Sequence, residues 1–409
     1  MKSLLLIAAL ASISETPAER QMASAKLRIE KDSGSYQAHN ALALALARRA
    51  RETSDPAYYE KAEEALEESF RLSKDNFEAS RLKVWVLLGK HEFARALEEA
   101  KVLQQRMPDD LLTYAFLADA HVELGNYAEA EEAAQWLLDL RPGNVPGLTR
   151  GAFLRELFGD IDGALEWMRM AHDQTYFNEN EDRAWILTHM GHLEASRGQL
   201  EASEAYLTQA LELFPDYHYA LGELAKVRLA QERFSEAVSL LRLRYGKAPH
   251  PENLYELADA LTVAGSTAEA GKLFATFEEK ARAESEGLDN ANRELLFFYA
   301  DRTSKPESAL AIGEKEFARR KDVFTRDAYA WALHRSGKSS EARSQIETAL
   351  GVGIKDARML YHAGAICTAV GDQEAAAKYL RESLALNPHS TVASKARESL
   401  QQLEPEVAQ

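Results

Sequence analysis

A small side chain recurs along this sequence at a nearly constant interval: Ala62, Ala96, Ala130, Ala164, Ser203, Ala237, Ala270, Ala309, Ala342 and Ala376. The spacings are 34, 34, 34, 39, 34, 33, 39, 33 and 34 residues. Four segments look alike, those beginning at Gly125, Gly198, Gly337 and Gly371; in each the small residue follows the glycine by five places, and each separates two stretches of helical periodicity. A period of this size marks a stack of supersecondary units, each leaving an apolar face that only its neighbour can cover. The 409 residues therefore need not divide into separate globular cores.

The third repeat carries Tyr114, Leu117, Ala118, Gly125, Tyr127, Ala130, Ala134, Leu137 and Pro142, and the tenth Leu360, Gly364, Gly371, Ala376, Leu380 and Pro388. In this pattern the chain resembles bacterial-type tetratricopeptide-repeat proteins. The resemblance implies an all-α fold, a right-handed superhelical solenoid of about ten helix-turn-helix repeats over residues 36–390. A capping helix and linker are expected over 19–35, and a capping helix and tail over 391–409. Small residues at Ala118, Ala225, Ala258 and Ala330 let paired helix axes approach closely. Pro108, Pro142, Pro215, Pro249 and Pro388 end second helices, because proline cannot donate the bond that would continue them.

Three departures stand out. The first repeat needs about seven extra residues between its helices, near Glu52 to Tyr58, and the two long intervals place about five near Glu179 to Arg183 and near Ser285 to Asp289. Insertions of this kind are expected in loops. The eighth repeat matches least, with Phe297 where a small residue is usual and Gly313 where a bulky one is usual, so the stack is expected to bend or loosen there.

Forty-nine basic residues against 65 acidic ones give a net charge of -16, which disfavours nucleic acid and anionic lipid as partners and favours a basic protein segment. The single cysteine, Cys367, excludes an internal disulfide. Lys2, the apolar run Leu4 to Ala11 and the small residues after it have the order of a secretory signal over residues 1–18, which implies export, to the periplasm in a bacterium; the alternative is a helix covering the open end of the array. No phosphate-binding loop, nucleophile elbow or zinc-protease motif is present, so neither catalysis nor a cofactor is expected. His189 and His192, three apart on one helix face and within reach of Glu223, are the single candidate for metal ligation.

In the family the first helices line the concave side, where ligands lie. Carried over, that face comprises Arg81, Trp85, Phe116, Arg150, Phe153, Trp185, His189, His192, Tyr219, Glu223, Tyr255, Glu256, Asp259, Glu294, Phe298, Asp327, Trp331 and Tyr361. Its aromatic residues are candidate anchors for a bound peptide or protein. Its charges segregate, with Arg81 and Arg150 in the N-terminal half and Glu223, Glu256, Asp259, Glu294 and Asp327 toward the C-terminal half. A basic segment is thus expected on repeats six to nine. The expected role is a binding scaffold; a self-assembling subunit and a metal carrier using His189 and His192 are the alternatives.

Overall fold

The computed structural model describes residues 15–403, and among them lie 22 helices and no strand. Helix α1 (Pro17–Lys31) precedes ten antiparallel pairs and α22 (Ala393–Leu403) follows them. The first five pairs are α2 (Tyr36–Thr53) with α3 (Ala57–Leu72), α4 (Phe77–Gly89) with α5 (Phe93–Arg106), α6 (Leu111–Glu123) with α7 (Tyr127–Leu140), α8 (Val145–Leu157) with α9 (Ile161–Gln174), and α10 (Asn180–Ser196) with α11 (Leu200–Leu213). The second five are α12 (His218–Ala230) with α13 (Phe234–Lys247), α14 (Pro251–Val263) with α15 (Thr267–Glu284), α16 (Asn292–Asp301) with α17 (Pro306–Arg319), α18 (Val323–Arg335) with α19 (Ser339–Leu350), and α20 (Ala357–Ala369) with α21 (Gln373–Leu386).

Local chemistry sets these boundaries. The turn inside every pair holds one residue of positive φ: Ser54, His91, Gly125, Gly159, Gly198, Glu232, Gly265, Ser304, Gly337 and Gly371. That residue reverses the chain within three positions. The glycine visible in the sequence is thus one solution to a requirement that all ten repeats share. Asn76, Asp110, Asn144 and Asp356 cap first helices by accepting a backbone N–H with their side chains. Pro108, Pro142, Pro215, Pro249 and Pro388 each lie two residues past the end of a second helix. The ten periodic small residues are all buried, because they sit where paired helices cross.

Around α2 and α10 the extra residues lengthen helices instead of forming loops between them; at the third place α15 is lengthened too, but Ser285 to Asp289 lie in the connection to α16, as the sequence suggested. Most first helices have 13 residues, but α2 has 18 and α10 has 17, and α15 has 18 where most second helices have 14. The eighth repeat is irregular in a related way: α16 has only 10 residues. At the ends, α1 buries Ala18 and Ala25 against the first repeat and α22 buries Ala393 and Ala396 against the last. The proposed leader falls mostly on residues 1–14, outside the described residues.

First helices of successive repeats touch one another, α2 with α4, α4 with α6, α6 with α8, α10 with α12, α16 with α18, and α18 with α20. They form the inner wall of the curve. The curve is tight enough to close on itself: the turn inside repeat n meets the loop after repeat n + 5. Thr53 to Pro56 share a cavity with Lys247, Pro249 and His250. His91 Nδ1 lies 3.7 Å from Asp289 Oδ1. Lys321 donates its backbone N–H to the Glu123 carbonyl at 3.1 Å. At Gly159 a Cβ would stand 2.5 Å from the carbonyl oxygen of Gly353, and Asn387 Nδ2 donates to the carbonyl of Ala195 at 3.0 Å. The groove between windings is therefore shut, and the concave face becomes the wall of an inner channel.

Candidate functional site

Along the channel, side chains from one first helix bond to those one repeat away. Arg150 on α8 grips Asp119 on α6 with both fork arms, Nε to Oδ1 at 2.9 Å and Nη2 to Oδ2 at 2.6 Å. Arg81 on α4 reaches Asp110 at 2.8 Å. The central step is richer. His189 Nε2 meets Glu156 Oε2 at 2.8 Å, while His192 bridges Glu156 Oε1 and Glu223 Oε2, each at 3.2 Å. Lys226 extends the chain to Glu223 at 2.7 Å. Trp185 stacks on His189 with ring centroids 5.6 Å apart, and Phe153 meets the same ring edge-on at 6.1 Å.

The electrostatics follow from this geometry. Enclosure by protein disfavours charge on His192, but the Glu223 and Glu156 carboxylates outweigh it and push the ring up to about 10. Burial likewise opposes charge on Glu156, yet the two histidines hold it below the usual carboxylate range. An imidazolium has no lone pair to give a metal. Among the described residues no group of three or more His, Cys, Asp or Glu is placed to hold an ion, and His189 and His192 serve a hydrogen-bonded chain instead.

The expected acidic half is largely neutralised from within. Glu256 pairs with Arg244, Asp259 with Arg302, and Glu294 with Arg293, whose Nε lies at 3.3 Å. Asp327 is fully buried, bonded through Oδ1 to His362 Nδ1 at 2.7 Å.

Several expected contact residues turn out to be packing. Phe116 and Phe298 lie in the apolar core, Phe298 against Phe274 and Phe277. Trp331 is only 4% exposed, stacked on His362 at 4.1 Å with its Nε1–H donated to Asp301 at 3.0 Å. Register explains the eighth repeat, where Phe297 rather than Phe298 faces the next first helices, under Arg358 and beside His362. Tyr255 packs on Phe274 and Phe277, and Trp85 and Tyr361 are half-buried between neighbouring repeats. Tyr219 remains open at 36% exposure. Glu156 and Arg51 were not expected. Opposite charges one repeat apart on first helices would have revealed Glu156, which lies 33 residues before His189.

Arg51 lies on the extra C-terminal turn of α2 and reaches the extra N-terminal turn of α10, with Glu181 at 3.1 Å and Asp182 at 3.6 Å. Its carbonyl accepts from His218 Nε2 at 3.0 Å. Tyr217, fully buried, donates its hydroxyl to Glu181 at 2.7 Å. The two lengthened helices therefore meet each other, and their added turns hold one winding to the next.

The tetratricopeptide-repeat family model matches residues 117–175, 189–250 and 329–391. Cellulose synthase operon protein C of Escherichia coli (strain K12) is 22% identical over 307 residues, covering 66% of this chain and 26% of that protein. The chain thus spans about a quarter of that relative's length. Among solved structures, a human IFIT1 dimer with PPP-AAAA is similar at a TM-score of 0.49 with 14% identity, over 91% of this chain and 95% of that one. A thermophilic tetratricopeptide-repeat protein of Thermus thermophilus, TTC0263, is similar at 0.42 with 22% identity, over 48% of this chain and 100% of that one.

Proposed function

Because the chain is a tetratricopeptide-repeat protein, we propose that it is a non-catalytic scaffold whose inner channel binds an extended protein or peptide segment carrying lysine or arginine. The observation that carries this reading is the channel wall itself, where closely spaced charged side chains stand beside an open aromatic, Tyr219. Lys226 and Arg293 keep about half their side-chain surface in solvent although the wall surrounds them, at 53% and 45%. A lysine or arginine of the bound segment would replace such a cation on its carboxylate partner, Glu223 for Lys226 and Glu294 for Arg293, and this exchange is how charge gives specificity and speeds encounter. The net charge of -16 favours a basic segment over nucleic acid.

Export belongs to the same reading. It rests on the order of charge, apolar run and small residues at the start of the chain. No described helix is long and apolar enough to cross a membrane.

Titration with extended lysine-rich peptides at low and at physiological salt tests the proposal. Tyr219→Ala should speed dissociation by on the order of tenfold, the loss expected when an aromatic anchor is removed. Asp259→Asn should slow association and flatten its salt dependence, since partly exposed charge acts by steering. Failure of the unaltered protein to bind any such peptide at low salt would remove the basic-segment reading.

A further inference from the structure

The two windings are not joined in the same way along their length. Repeats three and four share one buried apolar cluster with repeats nine and ten: Val122, Leu154 and Leu157 pack in common with Val323, Ile354 and Met359. Repeats one and two have nothing equivalent. Their apolar clusters run from Ala43 to Val86 and from Val84 to Leu137, and neither includes a residue of the second winding. What holds them across the seam rests on polar and charged groups: Arg51 with Glu181 and Asp182, the His218 imidazole with the Arg51 carbonyl, His91 with Asp289, and the Arg320 guanidinium over the Phe93 ring. Beside these contacts a cavity of about 510 Å³ separates the windings, lined by Ser54, Asp55 and Tyr58 on one side and Lys247, His250 and Glu284 on the other.

Apolar burial is lost only by exposing its whole area to water, whereas ion pairs and hydrogen bonds can be exchanged for bonds to water at small net cost. The seam should therefore part at one end only. We infer that repeats one and two form an arm latched by Arg51, which swings away from repeats five to seven and opens the channel along its side. The opening gives a long partner access without threading a free end through a closed tube. The latch chemistry fits a contact that opens and closes. The guanidinium lies between two carboxylates, and the buried His218 ring must carry its hydrogen on Nε2, because a carbonyl can only accept. Its Nδ1 is buried without a partner, so the closed contact leaves one hydrogen bond unmade that opening would supply from water. The inference concerns the arm alone and stands or falls independently of which partner the channel takes.

Paired fluorophores test it in a Cys367→Ala background. One pair, at Glu67→Cys and Ser239→Cys, spans the latched end; the other, at Glu131→Cys and Glu341→Cys, spans the end with the shared core. Arg51→Ala should raise the long-distance population of the first pair roughly tenfold or more, the factor expected for loss of a charge-assisted bond, and leave the second unchanged. High salt should do the same to the chain with Arg51 intact, by screening the partly exposed latch. An unchanged first pair under both treatments overturns the arm. Parallel widening of both pairs also overturns it, since that would be general loosening of the array.

Discussion

Val323 donates its backbone N–H to the Tyr127 hydroxyl at 2.8 Å, across 196 residues of chain. The bond lies on the seam where the eighth-to-ninth repeat junction rests on the third repeat. Beside it Arg320 pairs with Glu123, across 197 residues, and farther along Asn387 bonds Ala195 across 192. These near-equal separations fix one superhelical turn at a little under six repeats, and they make the first winding part of the environment of the second.

That environment distinguishes otherwise similar turns. Gly371 has φ +83° and nothing within 4 Å of the place a methyl group would take, so Gly371→Ala should cost only the left-handed backbone term, about 1 kcal/mol. Gly125 has φ +75°, but a Cβ there would stand 2.7 Å from the Lys321 carbonyl oxygen. Gly125→Ala should therefore cost clearly more. Denaturant unfolding measures both, and equal costs would mean that the windings do not touch.

Trp331→Ala is expected to act as a packing change. With its ring stacked on His362 and its N–H on Asp301, truncation should destabilise the array by about 3–5 kcal/mol, as for a buried aromatic. Loss of partner affinity with unaltered melting would return Trp331 to the binding surface.

His218 gives a pH dependence of definite sign. Burial holds its imidazole down to about 4, against 6.5 for an exposed ring, so on acidification the unfolded chain takes up the proton first. The contribution is complete above about pH 6.5 and is lost as pH falls toward 4. Melting temperatures of the unaltered protein and of His218→Gln, which can still donate to the Arg51 carbonyl, should differ by a margin that shifts against the unaltered protein across this window. A margin independent of pH would contradict a buried neutral ring.

The start of α1 narrows the expected processing site. Thr16 caps α1 with a reciprocal bond to Glu19, and its hydroxyl donates to Glu52, which also accepts the Ala18 N–H at 3.2 Å. Cleavage between Ser12 and Glu15 would leave that contact whole, and N-terminal sequencing of exported protein should find the new end there. Retained Met1 in exported protein, or a start beyond Thr16, would contradict it.

Much of the architecture was legible because it is local. The periodic small residues, the glycines and the prolines each answer a requirement inside a single helix pair, and α22 shows its apolar stripe within one helix. What was illegible depends on residues far apart in the chain. Glu52 to Tyr58 read as an inserted loop because Asp55-Pro56 is a turn signal, yet the extra length went into α2, where Arg51 could reach Glu181. Nothing within one repeat announces a partner 130 residues away. On the channel wall, helical periodicity places Phe297 and Phe298 about 100° apart, too close for spacing to decide which one faces outward. The paired carboxylates were visible as charges, but their neutralising partners stand one repeat off or on the second helix, as Arg244 does for Glu256.

The central claim, that the closed inner channel takes up a protein segment, is tested most directly by a photo-crosslinking residue at Tyr219, with a second variant at the exposed Val102 on second helix α5 as its counterpart. Irradiation in extract from the native host should give adducts at Tyr219 that mass spectrometry maps to a lysine- or arginine-rich stretch of one protein, and no such adducts at Val102. Adducts confined to Val102, or nucleic acid rather than protein at Tyr219, would contradict it.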